Sequence, residues 1–319
     1  MVRFFARRIL FGILVLWVIS VAVFVMFFVA PHNVARLLAG RQATPETVAA
    51  VRHNLGLDRS VWAQYGSFLW RLVHGDLGFS YYNSEPVTHL LVSRLPVTAS
   101  LVLGAVLLWL VMGVSGGVLA ATRPRSAADR TVTTLALLFF SMPTFLLGLL
   151  LLYFLFFRLH LAGVDIFPGS GYVPLTRSPS GWADHLLLPW FTLALVTAAV
   201  YARLTRGSML DVLGEDYIRT ARAKGIGTMR LIYVHGLRSA LTPVVTQVGI
   251  DLAVLLGGVL VTEQIFGLPG LGQLAVLSIT TRDLPVVIGI VLLASFFVVV
   301  ANIVVDLLYA VLDPRVHVH

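Results

Sequence analysis

Five stretches of this chain, 9–30, 97–121, 131–157, 186–202 and 284–305, hold no charged side chain, and a sixth, 239–262, holds only Asp251 before Glu263 closes it. Such runs constrain the fold more than any other feature. About 20 apolar residues carry a helix across the hydrocarbon of a bilayer, where every backbone amide must be satisfied inside the segment. The pattern predicts an all-α integral membrane protein with six transmembrane helices, the fourth being the shortest. With 58% hydrophobic and 12% charged residues the chain is far more apolar than an ordinary globular domain, and lipid is the solvent for most of it. The first run follows Arg3, Arg7 and Arg8, as a signal peptide would. Its 22 residues exceed the usual apolar core, however, and no A-x-A cleavage site follows, so it reads as a retained anchor.

Charge sets the expected orientation. With the N-terminus inside, residues 1–8, 122–130, 203–238 and 313–319 face the cytoplasm and carry fourteen of the 23 Lys and Arg. The outer segments 31–95, 158–185 and 263–283 are nearly twice as long in total and carry nine. The asymmetry follows the positive-inside rule, and six spans return the C-terminus to the cytoplasm. The net charge of +8 sits at the flanks of apolar runs, which argues against nucleic acid as a partner.

The first outer segment predicts helices of its own. Thr44-Pro45-Glu46 offers a capping hydroxyl, a proline at the first helical position and an acid near the positive end of the dipole. Val48, Val51 and Leu55 repeat at helical spacing until Gly56. A second pattern, Trp62, Tyr65, Leu69 and Leu72, is amphipathic and aromatic, which suits packing at the membrane interface.

Between two apolar blocks lies a charged, helix-favouring island, residues 216–225, in a cytoplasmic loop expected over 203–238. A span crossing lipid needs no such island, so it reads as a short helix presented to a partner. Lys224 is the only lysine, and Gly225 follows it, whereas a phosphate-binding P-loop requires Gly-Lys before Ser or Thr. If ATP drives this protein, another chain hydrolyses it. The absence of cysteine removes disulfides and thiolate metal sites, and no nucleophile elbow, HExxH or dinucleotide fingerprint is present, so neither a catalytic site nor a metal site is predicted.

Asp251 is the only carboxylate expected in mid-span, and Gln247 precedes it by one turn on the same face. The pair reads either as part of a water-filled path for a polar or cationic solute or as a structural hydrogen bond to a neighbouring helix. Asn302 and Asp306 share a face near the inner end of the last run. Gly267-Leu268-Pro269-Gly270-Leu271-Gly272 follows a span instead of a strand, so it predicts a tight outer turn with close helix packing. Gly257-Gly258 offers another close approach. His317 and His319 lack further ligands and read as a disordered end.

The island resembles the EAA loop of bacterial ABC importer permeases, in the form typical of the dipeptide and oligopeptide (peptide/nickel) permease family. His235, Arg238, Ala240, Leu241 and Pro243 resemble the stretch leading out of that loop. Gly257-Gly258, Glu263, Phe266 and the 268–272 turn resemble the next family signature. Arg282-Asp283 with Pro285, then Asn302, Asp306 and Leu312-Asp313-Pro314-Arg315, resemble its C-terminal end. Thr44-Pro45-Glu46, Leu55-Gly56-Leu57-Asp58 and Gly75-Asp76-Leu77-Gly78 resemble its N-terminal extension. Pro31-His32-Asn33 departs from the more acidic start of the family's outer segment, Gly236 stands where alanine is common, and Thr220-Ala221-Arg222 replaces a literal Glu-Ala-Ala.

The resemblance implies a type I ABC importer permease fold in the bacterial plasma (inner) membrane. Residues 1–95 would be an anchor helix with a partly helical extracytoplasmic insert, and 96–319 a core of five transmembrane helices. It implies half of a translocation path for di- or oligopeptides. The partners would be a second, homologous permease, two subunits that bind ATP and Mg, an extracytoplasmic solute-binding protein and membrane lipid, with no cofactor in this chain. Asp216, Tyr217, Arg219, Thr220, Ala221, Ala223, Lys224 and Gly225 would couple to an ATPase subunit. Gln247, Asp251 and Asn302 would line the path, and Glu263, Phe266, Gly267, Pro269, Gly270 and Gly272 would form an outer turn or gate. A nickel or other small-solute importer is the alternative within transport. Outside it, an ion-coupled secondary transporter would use Asp251 as its ion site, and an intramembrane enzyme would need paired catalytic groups that the chain does not offer.

Overall fold

The computed structural model describes residues 2–29, 35, 44–54, 59–80 and 82–312. Pro31-His32-Asn33, the Leu55–Asp58 motif with its helix end at Gly56, Asp313-Pro314-Arg315 and the histidine tail lie outside the described residues. The chain forms two compact units, Met1–Pro96 with Gly270–Ile303 and Val97–Pro269 with Val304–His319.

In the first unit, α1 (Val2–Phe24) continues into a π-helical turn, Val25–Val29. Next come α2 (Pro45–Asn54), α3 (Val61–Val73) and a two-residue hairpin of β1 (Phe79–Ser80) and β2 (Glu85–Pro86). Thr44 starts α2 as its sequence predicts, its hydroxyl accepting the Thr47 N–H at 3.3 Å. The packing of α3 adds Phe68 to the expected set. Trp62 is 86% exposed, whereas Phe68 is buried with Val23, Phe24, Ile288 and Leu292, and Tyr65 and Leu72 pack beside it. Trp62 sits in the first turn of α3, a full turn and a half before Phe68, on a face the core does not reach. The buried Ser20 hydroxyl meets Tyr65 Oη at 2.8 Å, which fastens α3 to α1. The hairpin is held from α11 (Leu284–Leu312), at whose start the buried Asp283 carboxylate accepts the Ser80 hydroxyl.

The second unit is built on α4 (Val87–Thr122, in this unit from Val97), α5 (Ala127–Phe140), α6 (Thr144–Leu151, prolonged through a π stretch to Leu161) and α7 (Pro179–Leu213). After the short α8 (Asp216–Ala223), the chain passes Thr228–Arg230 and a π stretch, Leu231–Gly236, into α9 (Leu237–Phe266). The remaining helix, α10 (Leu271–Thr281), belongs to the first unit. Leu101, Ala105 and Trp109 of α4 pack with Leu186, Leu193 and Tyr201 of α7 and with Val244, Val259 and Phe266 of α9.

The seam between α4 and α7 depends on missing side chains. A Cβ at Gly113 would stand 2.4 Å from Tyr201 Cβ, and one at Gly117 would stand 2.5 Å from Thr205 Cβ. The two glycines are four residues apart and occupy one face. In lipid, helices associate through close packing and not through expulsion of water, so this backbone approach is itself the adhesive contact. At Gly104 the Trp190 ring fills the space a Cβ would take, and its indole N–H donates to the Ser100 carbonyl at 3.0 Å.

Among the described residues five helices are long and apolar enough to cross a membrane: Ala6–Val29, Val87–Thr122, Thr144–Leu161, Pro179–Leu213 and Leu284–Leu307. The number is six only if Gly258–Phe266 and Leu271–Thr281, two helices parted by a sharp bend, count as one broken span, and the predicted run 239–262 lies within α9. The run 131–157 is not one helix. It breaks at Ser141–Pro143, because proline lacks the N–H that a helix requires and drives the preceding residue out of the α region. The crossing helix therefore begins at Thr144.

Candidate coupling surface and transmembrane polar groups

α8 forms where its sequence predicts. Asp216 lies in its first turn and Arg222 in its last, each suited to the dipole end it occupies. Ile218 is completely buried and anchors the helix, and the Tyr217 hydroxyl donates to Ser239 Oγ at 3.2 Å. Asp216, Arg219, Thr220, Arg222, Ala223 and Lys224 are exposed, while Ala221 is half-buried. The exposed Asp216–Arg219 pair, at 3.3 Å, adds little stability. The helix stops in a Schellman motif. The Gly225 N–H bonds to Arg222 O at 3.0 Å, and the Ile226 N–H reaches back to Ala221 O at 3.3 Å. Gly225 has φ +77°, a left-handed conformation that a side chain would strain.

Upstream, α7 is tied to the start of α5. Arg206 Nε and Nη2 donate to Asp129 Oδ1 and Oδ2 at 2.7 and 3.0 Å, and the Arg125 N–H donates to Oδ2 at 2.9 Å. These bonds, the Arg206 pair first, hold the Asp129 carboxyl at about 2, well below its ordinary 3.8. Ser126 caps α5 by accepting the Asp129 N–H at 3.2 Å. The Ser126-x-x-Asp129 spacing carries that cap in the sequence, but the partner 77 residues away is not visible there.

In α9, Gln247 Nε2 donates to Asp251 Oδ1 at 2.9 Å, so the predicted pair is formed within one helix. Asp251 is half-buried. The Tyr201 hydroxyl lies near this carboxylate, and the Trp109 ring lies 6.1 Å from the Tyr201 ring, centroid to centroid. Trp109 Nε1 and Tyr201 Oη are both buried donors with no hydrogen-bond partner among the described residues. A carboxylate, an amide and two buried donors thus lie close together inside the helices, and the sequence marks only the first two. Asn302, on α11 in the other unit, is exposed and gives its amide to the Val298 carbonyl at 3.0 Å.

The predicted outer turn is tightly made. Gly267 caps α9 in the left-handed conformation, the Leu268 N–H returns to Glu263 O at 2.9 Å, and the Gly171 N–H donates to Phe266 O at 3.1 Å. Glu263, Phe266 and Leu268 are buried, and Thr98 on α4, which the sequence did not mark, donates its hydroxyl to Glu263 Oε1 at 2.6 Å. After Pro269, Gly270 precedes α10, its carbonyl accepting the Leu274 N–H at 3.1 Å, and Gly272 lies in the first turn.

The described residues form an all-α, multi-pass membrane protein with a short helix outside its spans. Residues 113–318 match the family described as "Binding-protein-dependent transport system inner membrane component", and residues 1–102 match the N-terminal family of the same membrane components. The chain belongs to this family, the permease part of ABC transporters. A Brucella suis biovar 1 (strain 1330) permease, whose name places it in a peptide transport system, is 43% identical over 311 residues, 98% of each chain. The glutathione transport system permease protein GsiC of Escherichia coli O6:H1 is 38% identical over 316 residues, covering 99% of each. The dipeptide transport system permease protein DppB of Escherichia coli K12 is 38% identical over 337 aligned positions, also covering 99% of each.

Proposed function

We propose that this chain forms half of the translocation path of an ATP-driven importer of small peptides, in partnership with a second, homologous permease. Two ATP-binding subunits, which hold ATP and Mg, drive it from the cytoplasm, and an extracytoplasmic solute-binding protein delivers the peptide. The observation that carries this reading is α8, whose charged face is exposed and whose end is fixed by the Gly225 turn. Closure of the ATPase pair would move this helix and switch the path between outward and inward access. Both termini and 203–238 lie inside in this reading, residues 1–95 are the anchor and outer insert, and 96–319 are the permease core.

Peptides are the substrate class favoured by the relatives. Dipeptides and glutathione alike carry a free ammonium and carboxylate, and Asp251 with Gln247 would lower the cost of moving the ammonium through a region of low dielectric. Reconstitution of the four-subunit complex and its binding protein in liposomes tests the assignment. Peptide should accumulate only when this chain, the partner permease, the ATPases, the binding protein and ATP are all present. Uptake by proteoliposomes that lack this chain would remove it from the path.

A further inference from the structure

In the first unit a cavity of about 390 Å³ opens between α3, the hairpin, α11 and the π-helical turn that follows α1. That is the size of a binding pocket for a small molecule, which typically measures about 300–1,000 Å³. Phe28, Phe68, Ile288 and Leu292 give it an apolar floor, and Arg71 and Asp76 are the charged groups in its lining. Phe28 is next to last in the crossing helix Ala6–Val29, and Ile288 lies in the first turns of the crossing helix Leu284–Leu307. The cavity therefore sits at a membrane boundary. Trp62 and Trp70 of α3, 86% and 68% exposed, are the amphipathic rings that favour headgroup level.

Arg71 follows Phe68 by three residues and so projects from the same face of α3 into the cavity lining. Its guanidinium has no ion-pair or hydrogen-bond partner among the described residues, although it is half-buried. A cation beside an apolar cavity at this depth calls for an amphiphile whose anion stands above a hydrocarbon tail. Asp76 accepts the Gly78 N–H at 2.9 Å and adds a negative charge to the lining.

We propose that this cavity seats one phospholipid, its acyl chain among Phe28, Phe68, Ile288 and Leu292 and its phosphate on Arg71, with Asp76 selecting an ethanolamine ammonium over choline. The site ties the outer insert to the first and last crossing helices of its unit through a lipid. It is independent of which solute the protein carries.

The test uses the complete transport complex, delipidated in detergent and titrated with palmitoyl-oleoyl phosphatidylethanolamine, with bound lipid counted by native mass spectrometry. Arg71→Gln should weaken binding about tenfold while the lipid-free complex melts at the wild-type temperature. Asp76→Asn, which keeps the acceptor for Gly78, should remove the preference for ethanolamine over choline. Leu292→Trp fills the apolar end and should lower the number of bound lipids. Equal affinity of wild type and Arg71→Gln would overturn the site, as would equal competition by diacylglycerol, which has no phosphate, or displacement of the lipid by apolar peptide. An unchanged headgroup preference in Asp76→Asn would overturn the role of Asp76.

Discussion

Arg206 grips both oxygens of Asp129, so the loop that opens α5 is bound to α7 a few residues before that helix delivers the chain to α8. A bidentate pair fixes orientation as well as distance, and lysine cannot reproduce it. Arg206→Lys should leave assembly intact and lower peptide-stimulated ATP hydrolysis several-fold. Asp129→Asn should do the same. Activity at the wild-type level in both variants would show that this contact transmits nothing.

The same carboxyl predicts a dependence on acid. Its folded value, about 2, is depressed from 3.8, so its contribution to stability is complete above about pH 4 and is lost as pH falls toward 2. The melting temperature of the wild-type complex should fall across that window more steeply than that of Asp129→Asn. Parallel curves would assign the acid sensitivity to other groups.

Gly225 is the clearest test of coupling. A β-branched residue there must adopt a left-handed backbone at a cost of about 1–3 kcal/mol, although no atom lies within 4 Å of the new Cβ. Gly225→Val should loosen the end of α8, and transport and ATP hydrolysis should fall together. Gly225→Asn, which tolerates the left-handed region, should retain most of both. If valine and asparagine behave alike, the turn is not what matters.

Gly113 and Gly117 predict a sharp positional contrast. Gly113→Ala and Gly117→Ala must displace α7 backbone or Cβ atoms and should each cost about 1–3 kcal/mol or more. Gly116→Ala, whose nearest neighbour would be Val132 Cγ1 at 3.6 Å, should be nearly neutral. Thermal melts of the three variants decide it, and a uniform response would mean that the seam is looser than described.

Asp251→Asn keeps the size and hydrogen bonding of the side chain and removes its charge. Uptake of ordinary peptides by the reconstituted complex should slow, with a smaller loss for amino-blocked analogues. Equal loss for both would make the charge structural. Unchanged uptake of both would place Asp251 off the path.

The cysteine-free chain permits a direct orientation test. Gly227 and Ala50 are both exposed, and Gly227 has open space for a side chain. In intact cells an impermeant thiol reagent should label Ala50→Cys and miss Gly227→Cys. The reverse pattern would invert the topology.

What could be read in the sequence was what depends on neighbours along the chain. The apolar runs, the Thr44 helix start, the Gln247–Asp251 pair and the short helix over the charged island are all set by residues near one another along the chain. The break at Pro143 was equally local, but the length of the apolar run masked it. Partnerships across the fold were not legible: Arg206 with Asp129, Thr98 with Glu263, and Trp109 and Tyr201 beside Asp251. In each, an ordinary residue becomes notable only because a distant segment arrives beside it. The burial of Phe68 is not visible in the sequence because aromatic character alone does not say which face of α3 turns inward.

The α4–α7 seam also limits how this chain can vary. Position 113 meets a Cβ at Tyr201, and position 117 meets a Cβ at Thr205 and a carbonyl at Ala202. Shortening either α7 side chain to alanine leaves the opposing Cβ where it was, and at position 117 the Ala202 carbonyl, 2.7 Å away, would remain even with glycine at 205. Compensating pairs of substitutions, the usual route by which packed interfaces drift, are closed at these two positions, where the α4 main chain lies directly against Cβ and backbone atoms of α7.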